Sequence, residues 1–187
     1  MRTHRLTALV FAAAFLAQAA QAQVTRRHVV SVDGHQRPIA LDTMGVRIDF
    51  PSATPAQVWT QLAAVYDEAK IITNVRDSVA GEIGNLSLVQ RGRLWKQPLS
   101  RFFDCGASMS GNNADSYKVS LALVSWIVPH GAGSTVWTAV AAGGRDVSGT
   151  SNHSRTCQSV GQLEGTIHDA LRERLKGRTV SSDADAP

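Results

Sequence analysis

The sequence predicts an α+β domain of two layers, an antiparallel sheet of about five to six strands with two helices packed on one face. Three observations predict it. Val160, Leu163, Ile167, Leu171 and Leu175 recur at spacings of three and four, which makes one apolar stripe on a closing helix. The segment Tyr117 to Ala142 alternates apolar and polar side chains and is broken by the turn-forming run PHGAGS, so it reads as two strands and a hairpin. The order along the chain is strand, helix, several strands, helix, and an apolar helix stripe at each end of a strand run needs a sheet to lie on.

Arg2 and Arg5 precede an apolar run from Leu6 to Ala17, followed by the small-x-small site Ala20-Gln21-Ala22. Residues 1–22 therefore read as a secretory signal peptide, with an apolar run too short to span a bilayer. No cysteine lies near the cleavage point, which excludes lipid attachment there, and no later segment has the length and apolarity of a transmembrane helix. The expected location is periplasmic or secreted.

Residues 23–42 are polar, hold Asp33-Gly34 and Pro38, and read as a linker or an edge strand. The α+β domain is expected over 43–177. Val46, Ile48 and Phe50 alternate with Arg47 and Asp49 as a half-buried strand, and Thr54-Pro55 opens a helix in the favoured cap-then-proline order. Val58, Trp59, Leu62, Val65, Tyr66 and Ala69 fall on one side of that helix. A short strand is expected at Ile71–Val75 and another strand at Ile83–Leu94, then an exposed polar loop over Gly106–Ser116. The long strand places Tyr117, Val119, Leu121, Leu123 and Ile127 on one face. Val124, Trp126 and Val128 on the other demand cover on both sides or an exposed apolar patch. A second polar loop is expected over Gly143–Thr156. The closing helix is read from Cys157, with Ser159 and Gln162 as a capping box and Gly177 as its stop, and 178–187 as a disordered acidic tail.

The formal net charge is +4, but loss of Arg2 and Arg5 leaves 17 basic residues against 15 acidic ones, a net of +2. The remaining cations are scattered among acids, so no nucleic-acid stripe is read. Cys105 and Cys157 are the only cysteines. In an oxidising compartment an isolated pair most often forms a disulfide.

Glu164 is the most unusual residue on the closing helix. At about 100° per residue it falls inside the arc of Leu163 and Leu175, so a carboxylate is placed among leucines. A structural role beside the helix N-terminus is the plain reading; an acid–base or ligand role is the sharper one. His28, His35, His130, His153 and His168 show no metal-ligand spacing and are expected on surfaces or loops. Gly106 to Gly111 approaches a nucleophile elbow but has Ser110 in the fifth place and sits in a loop, so it is set aside. No metal or cofactor is expected. Trp126 and Trp137 flank the hairpin loop and are either core or the lining of a ligand or partner surface.

The segment PAQVWTQLAAVYDEAKIITNVRDSVAGEIG resembles the helix-and-strand unit of BamC-type domains of outer-membrane assembly lipoproteins, with Val58-Trp59, Arg76-Asp77 and Gly81 in the matching places. It covers about 30 residues, and this chain lacks the lipid-attachment cysteine and carries one such unit. The resemblance implies a helix-grip-like α+β fold and no catalytic residues.

Three functions follow in order. The first is an exported, non-enzymatic module that binds an envelope protein or component. The second is a carrier of a small apolar ligand in a pocket lined by Trp59, Tyr66, Trp126 and Glu164. The third is a small hydrolase or isomerase using Glu164. The oligomeric state is not legible.

Overall fold

A computed structural model describes residues 28–109, 111–147 and 153–182, with side chains as far as Gly177. The expected signal peptide lies outside the described residues. The fold is α+β, with three helices and a seven-stranded antiparallel sheet. In chain order the sheet strands are β1 (Val46–Phe50), β2 (Val75–Asp77), β3 (Glu82–Arg91), β4 (Phe103–Asp104), β5 (Lys118–His130), β6 (Gly133–Arg145) and β7 (Ser154–Ser159). The helices are α1 (Pro55–Glu68), the single turn α2 (Asn113–Ser116) and α3 (Gln162–Ser182).

The sheet is built on the β5–β6 hairpin, paired without a break from Lys118↔Arg145 to His130↔Gly133. On one side β5 pairs β3, which pairs β2. On the other, two strands share the edge of β6 end to end. Strand β1 takes Ser134 to Thr138, and β7 takes Ala142 to Arg145 and then pairs β4.

The period-two pattern divides the sheet cleanly. Val119, Leu121, Leu123 and Ile127 of β5 and Val136, Val140 and Ala142 of β6 join Val58, Leu62, Val65 and Tyr66 of α1 and Leu163, Ile167 and Leu171 of α3 in one buried cluster. The alternate residues, Ala122, Val124 and Trp126 with Ala139 and Ala141, form a second cluster with Val30, Val32 and Leu41. The double-sided apolar pattern of β5 is thus covered on both faces.

The second cover is the segment read from sequence as a linker or edge strand. Its described part, from His28, is a strap: Val29–Val30 pairs with Ile39–Ala40, and a 3-10 turn at Leu41–Thr43 follows. It lies close because the sheet residues beneath it are small. A Cβ at Gly143 would stand 1.5 Å from the Asp33 carbonyl oxygen. Around that contact, His35 Nε2 is 2.9 Å from the Ala142 carbonyl and Arg145 donates to Asp33 at 3.1 Å. Gly143→Ala is therefore expected to lift the strap at this point and cost about 1–3 kcal/mol, the usual range for overpacking a tight contact. Urea unfolding together with faster hydrogen exchange at residues 30–41 checks it.

Helix α1 starts as expected. The Thr54 hydroxyl accepts from Gln57 N–H, and the Gln57 side chain accepts from Thr54 N–H at 2.9 Å, a reciprocal capping box. The last helix differs from expectation at both ends. Cys157 belongs to strand β7, and α3 begins only at Gln162 after a turn through Gly161 at φ +78°. Val160, expected in the apolar stripe, is 48% exposed in that turn. Gly177 lacks the left-handed φ that a stop requires, and the helix continues to Ser182. Likewise Gly106–Ser116 is not simply loop: it holds a two-residue ladder and α2, with Asn113 and Ala114 buried.

Cys105 and Cys157 are disulfide-bonded. The bond ties the residue after β4 to β7, beside the pairs Gln158↔Asp104 and Ser159↔Phe103. Among the described residues no helix is long and apolar enough to cross a membrane.

Candidate functional site

The five candidate residues separate into three places. Trp126 and Trp137 come together on the strap side of the sheet and share a groove with Trp59, which packs on the helix side, while Tyr66 and Glu164 do not line that groove.

Glu164 is 4% exposed in the first turn of α3. The Ser159 hydroxyl lies 2.8 and 3.0 Å from its two carboxylate oxygens and accepts from Gly161 N–H at 3.1 Å. Ser159 is the last residue of β7, so strand end, turn and helix start are knotted through one hydroxyl. This is why Ser159 does not serve as the expected capping box with Gln162. Glu164 is not among the residues lining the groove described below, and its position favours a structural role. Glu164→Gln is expected to cost about 1–3 kcal/mol through loss of a charge-assisted bond and its helix-dipole contribution. Chemical denaturation checks it.

Tyr66 is fully buried in a chain of four side chains that sequence spacing does not reveal. Its hydroxyl meets Ser125 Oγ at 2.9 Å, Ser125 meets Thr138 Oγ1 at 2.7 Å, and Thr138 meets His168 Nε2 at 3.0 Å. The chain joins α1, β5, β6 and α3, and Ser125 and Thr138 are cross-strand partners. Burial pushes the Tyr66 hydroxyl well above its usual range, against the opposing bond from Ser125. Burial first, and Arg172 second, push His168 down to about 4 against the pull of Asp169. His168, expected on a surface or loop, is only 4% exposed. Hydroxyls and an imidazole in a row suggest hydrolytic chemistry, but Tyr66, Ser125 and Thr138 are 0% exposed, so no substrate reaches them. The chain fastens the helices to the sheet.

An open groove lies at the β5–β6 turn. It has a volume of about 1150 Å³ and is lined by Trp59 from α1, Trp126 and Trp137 from the hairpin, and Arg47, Asp49 and Glu82. Trp126 and Trp137 are directly opposed in the sheet, with ring centroids 5.0 Å apart. The Arg47 guanidinium stands 4.7 Å over the Trp137 ring, and His28 stacks on Trp126 at 6.0 Å. Glu82, 3% exposed, is held by His28 at 3.1 Å. Trp137 donates to the Met44 carbonyl at 2.8 Å, whereas the buried Trp126 indole N–H has no hydrogen-bond partner among the described residues. Sequence reasoning found the tryptophans through their place beside the hairpin turn. It missed Arg47, His28 and Glu82, whose approach depends on pairing between distant strands.

Among the described residues no three His, Cys, Asp or Glu side chains are grouped as metal ligands. No protein-family model matches the chain, and no curated protein matches it.

Proposed function

We propose that this chain is an exported, non-enzymatic binding module of the cell envelope that receives a protein partner in the groove at the β5–β6 turn. The groove carries the reading: Trp126 and Trp137 from one face of the sheet, Trp59 from the other, the Arg47–Trp137 cation–π pair and the exposed carboxylate of Asp49 line an open concavity of about 1150 Å³. Aromatic side chains with a polar handle are the usual anchors of such surfaces. The polar groups that suggest chemistry, Glu164 and the Tyr66–His168 chain, are engaged within the fold. The disulfide suits an oxidising compartment.

A second reading, a small apolar ligand, rests on the same groove, where the Trp126 and Trp137 ring centroids stand 5.0 Å apart. Native mass spectrometry of the full chain, exported and processed by a bacterial host, separates the two. A protein-sized adduct supports the module, and an adduct of a few hundred daltons, in the range of small-molecule ligands, supports the carrier. Either adduct should be lost in a folded Trp59→Ala variant. A bare mass for both proteins would overturn the groove as a binding site.

A further inference from the structure

The fold gathers cations at the end of the sheet opposite the groove. Strand β3 ends at Arg91 and β5 begins at Lys118, and the register sets these two residues directly opposite one another. On its other side Lys118 is opposite Arg145. Like charges so placed are destabilising. Arg145 is neutralised by Asp33 at 3.1 Å. Arg91 and Lys118 are exposed and have no ion-pair partner among the described residues.

Beyond Arg91 the chain doubles back. Leu99 N–H donates to the Gly92 carbonyl at 3.0 Å, Arg93–Leu94 pairs with Gln97–Pro98, and the Arg93 guanidinium donates to the Lys96 carbonyl at 3.1 Å. Arg93, Lys96 and Arg101 thereby join the same end, all exposed and none in an ion pair among the described residues. The nearby carboxylate of Asp115 is turned to the Ser100 N–H at 2.8 Å. The turn between the paired segments holds Trp95 and Lys96 at φ +50° and +63°. This two-residue geometry favours Asn-Gly, and two bulky residues hold it at a cost in strain. Its effect is to carry Lys96 outward beside Trp95, which is partly buried against the core.

We infer that this end of the sheet docks on an anionic phospholipid surface. Its cations stand on strand ends and a small hairpin, which presents them to a broad surface instead of converging them on one anion. A tryptophan beside lysine and arginine suits the headgroup region, where amphipathic rings and cations both settle. The inference rests on residues separate from the groove. Lys118 and Trp126 are eight positions apart on one strand, or about 26 Å, so a docked molecule would hold the groove away from the membrane and open to a partner.

The test uses the full exported chain with vesicles of equimolar phosphatidylglycerol and phosphatidylcholine, and with vesicles of phosphatidylcholine alone. Co-sedimentation is expected with the mixed vesicles and to fade as salt is raised. The double variant Arg91→Glu, Lys96→Glu should bind about tenfold more weakly or worse, since each juxtamembrane cation contributes measurably. Arg91→Glu places a carboxylate opposite Lys118, so an unchanged or raised Tm keeps a loss of binding distinct from unfolding. Failure to bind the mixed vesicles, equal binding to both vesicles, equal binding by the variant, or tighter binding to duplex DNA at the same phosphate concentration would each overturn it. Adducts in native mass spectrometry would be untouched by any of these outcomes, so the groove stands or falls separately.

Discussion

Cys157→Ser is expected to lower the unfolding free energy by about 4 kcal/mol. The bond spans a sequence separation of 52 residues, and closing a loop of that order removes roughly this much free energy from the unfolded chain in the chain-entropy account. The effect should exceed the entropy alone if β4 also loosens. Strand β4 has two residues and is held to β7 through Gln158↔Asp104 and Ser159↔Phe103, too short a ladder to persist unaided. Urea titration of the oxidised protein, the reduced protein and the variant measures it. A reduced protein as stable as the oxidised one would contradict the expectation.

Acid should weaken the fold through His168. Its pKa lies near 4 in the folded protein, against about 6.5 in an unfolded chain. Between these values the unfolded state binds more protons, so stability falls as pH drops from about 6.5 and the loss is complete below about 4. The full span corresponds to about 3 kcal/mol by linkage. Protonation would leave both ring nitrogens as donors at the end of the chain through Thr138 and Ser125 to Tyr66. The neighbouring charges, Arg172 and Asp169, oppose each other in their effect on the ring. His168→Gln removes this dependence and leaves that of the carboxylates in place. The stability difference between native protein and variant should therefore shrink by about 3 kcal/mol from pH 7 to pH 4. A constant difference would show that His168 does not titrate in this way.

Local chemistry was readable from the sequence where a few adjacent residues decide it. Thr54, Pro55 and Gln57 specify the start of α1 by themselves. Val119, Leu121 and Leu123 specify a strand by alternation, and the need for cover on both faces of β5 was legible in Val124 and Trp126. Glu164 was found buried as its angular position implied. The identity of the second cover was not legible. Val30, Val32 and Leu41 are too few and too scattered to announce a packed layer, and the signal that receives them, small residues at Ala122, Ala139, Ala141 and Gly143, reads only as low strand propensity until the register is known. Val160 shows the opposite error. Its spacing matched the helical stripe, but Gly161 in a left-handed conformation ends the strand and starts the helix after it. His168, Thr138, Ser125 and Tyr66 each look ordinary alone, and only the Ser125↔Thr138 pairing makes them one chain. The groove follows the same logic: Trp126 and Trp137 were visible beside a turn, but Arg47 and Glu82 arrive from other strands.

The strap sets an order in time as well as in space. It is synthesised before the sheet that holds it, and its anchors come late: Asp33 waits 112 residues for Arg145, and His35 waits 107 for Ala142. The β5–β6 hairpin, closed by a tight turn, has no such wait. Contacts between distant parts of the chain bear the larger closure cost and form after local ones. Until the strap settles, Val30, Val32 and Leu41 on one side and Ala122, Ala139 and Ala141 on the other remain open to water and to other chains. A newborn molecule therefore exposes on this face an apolar surface that the finished one hides, and a helper that shields the first residues after His28 would protect it there.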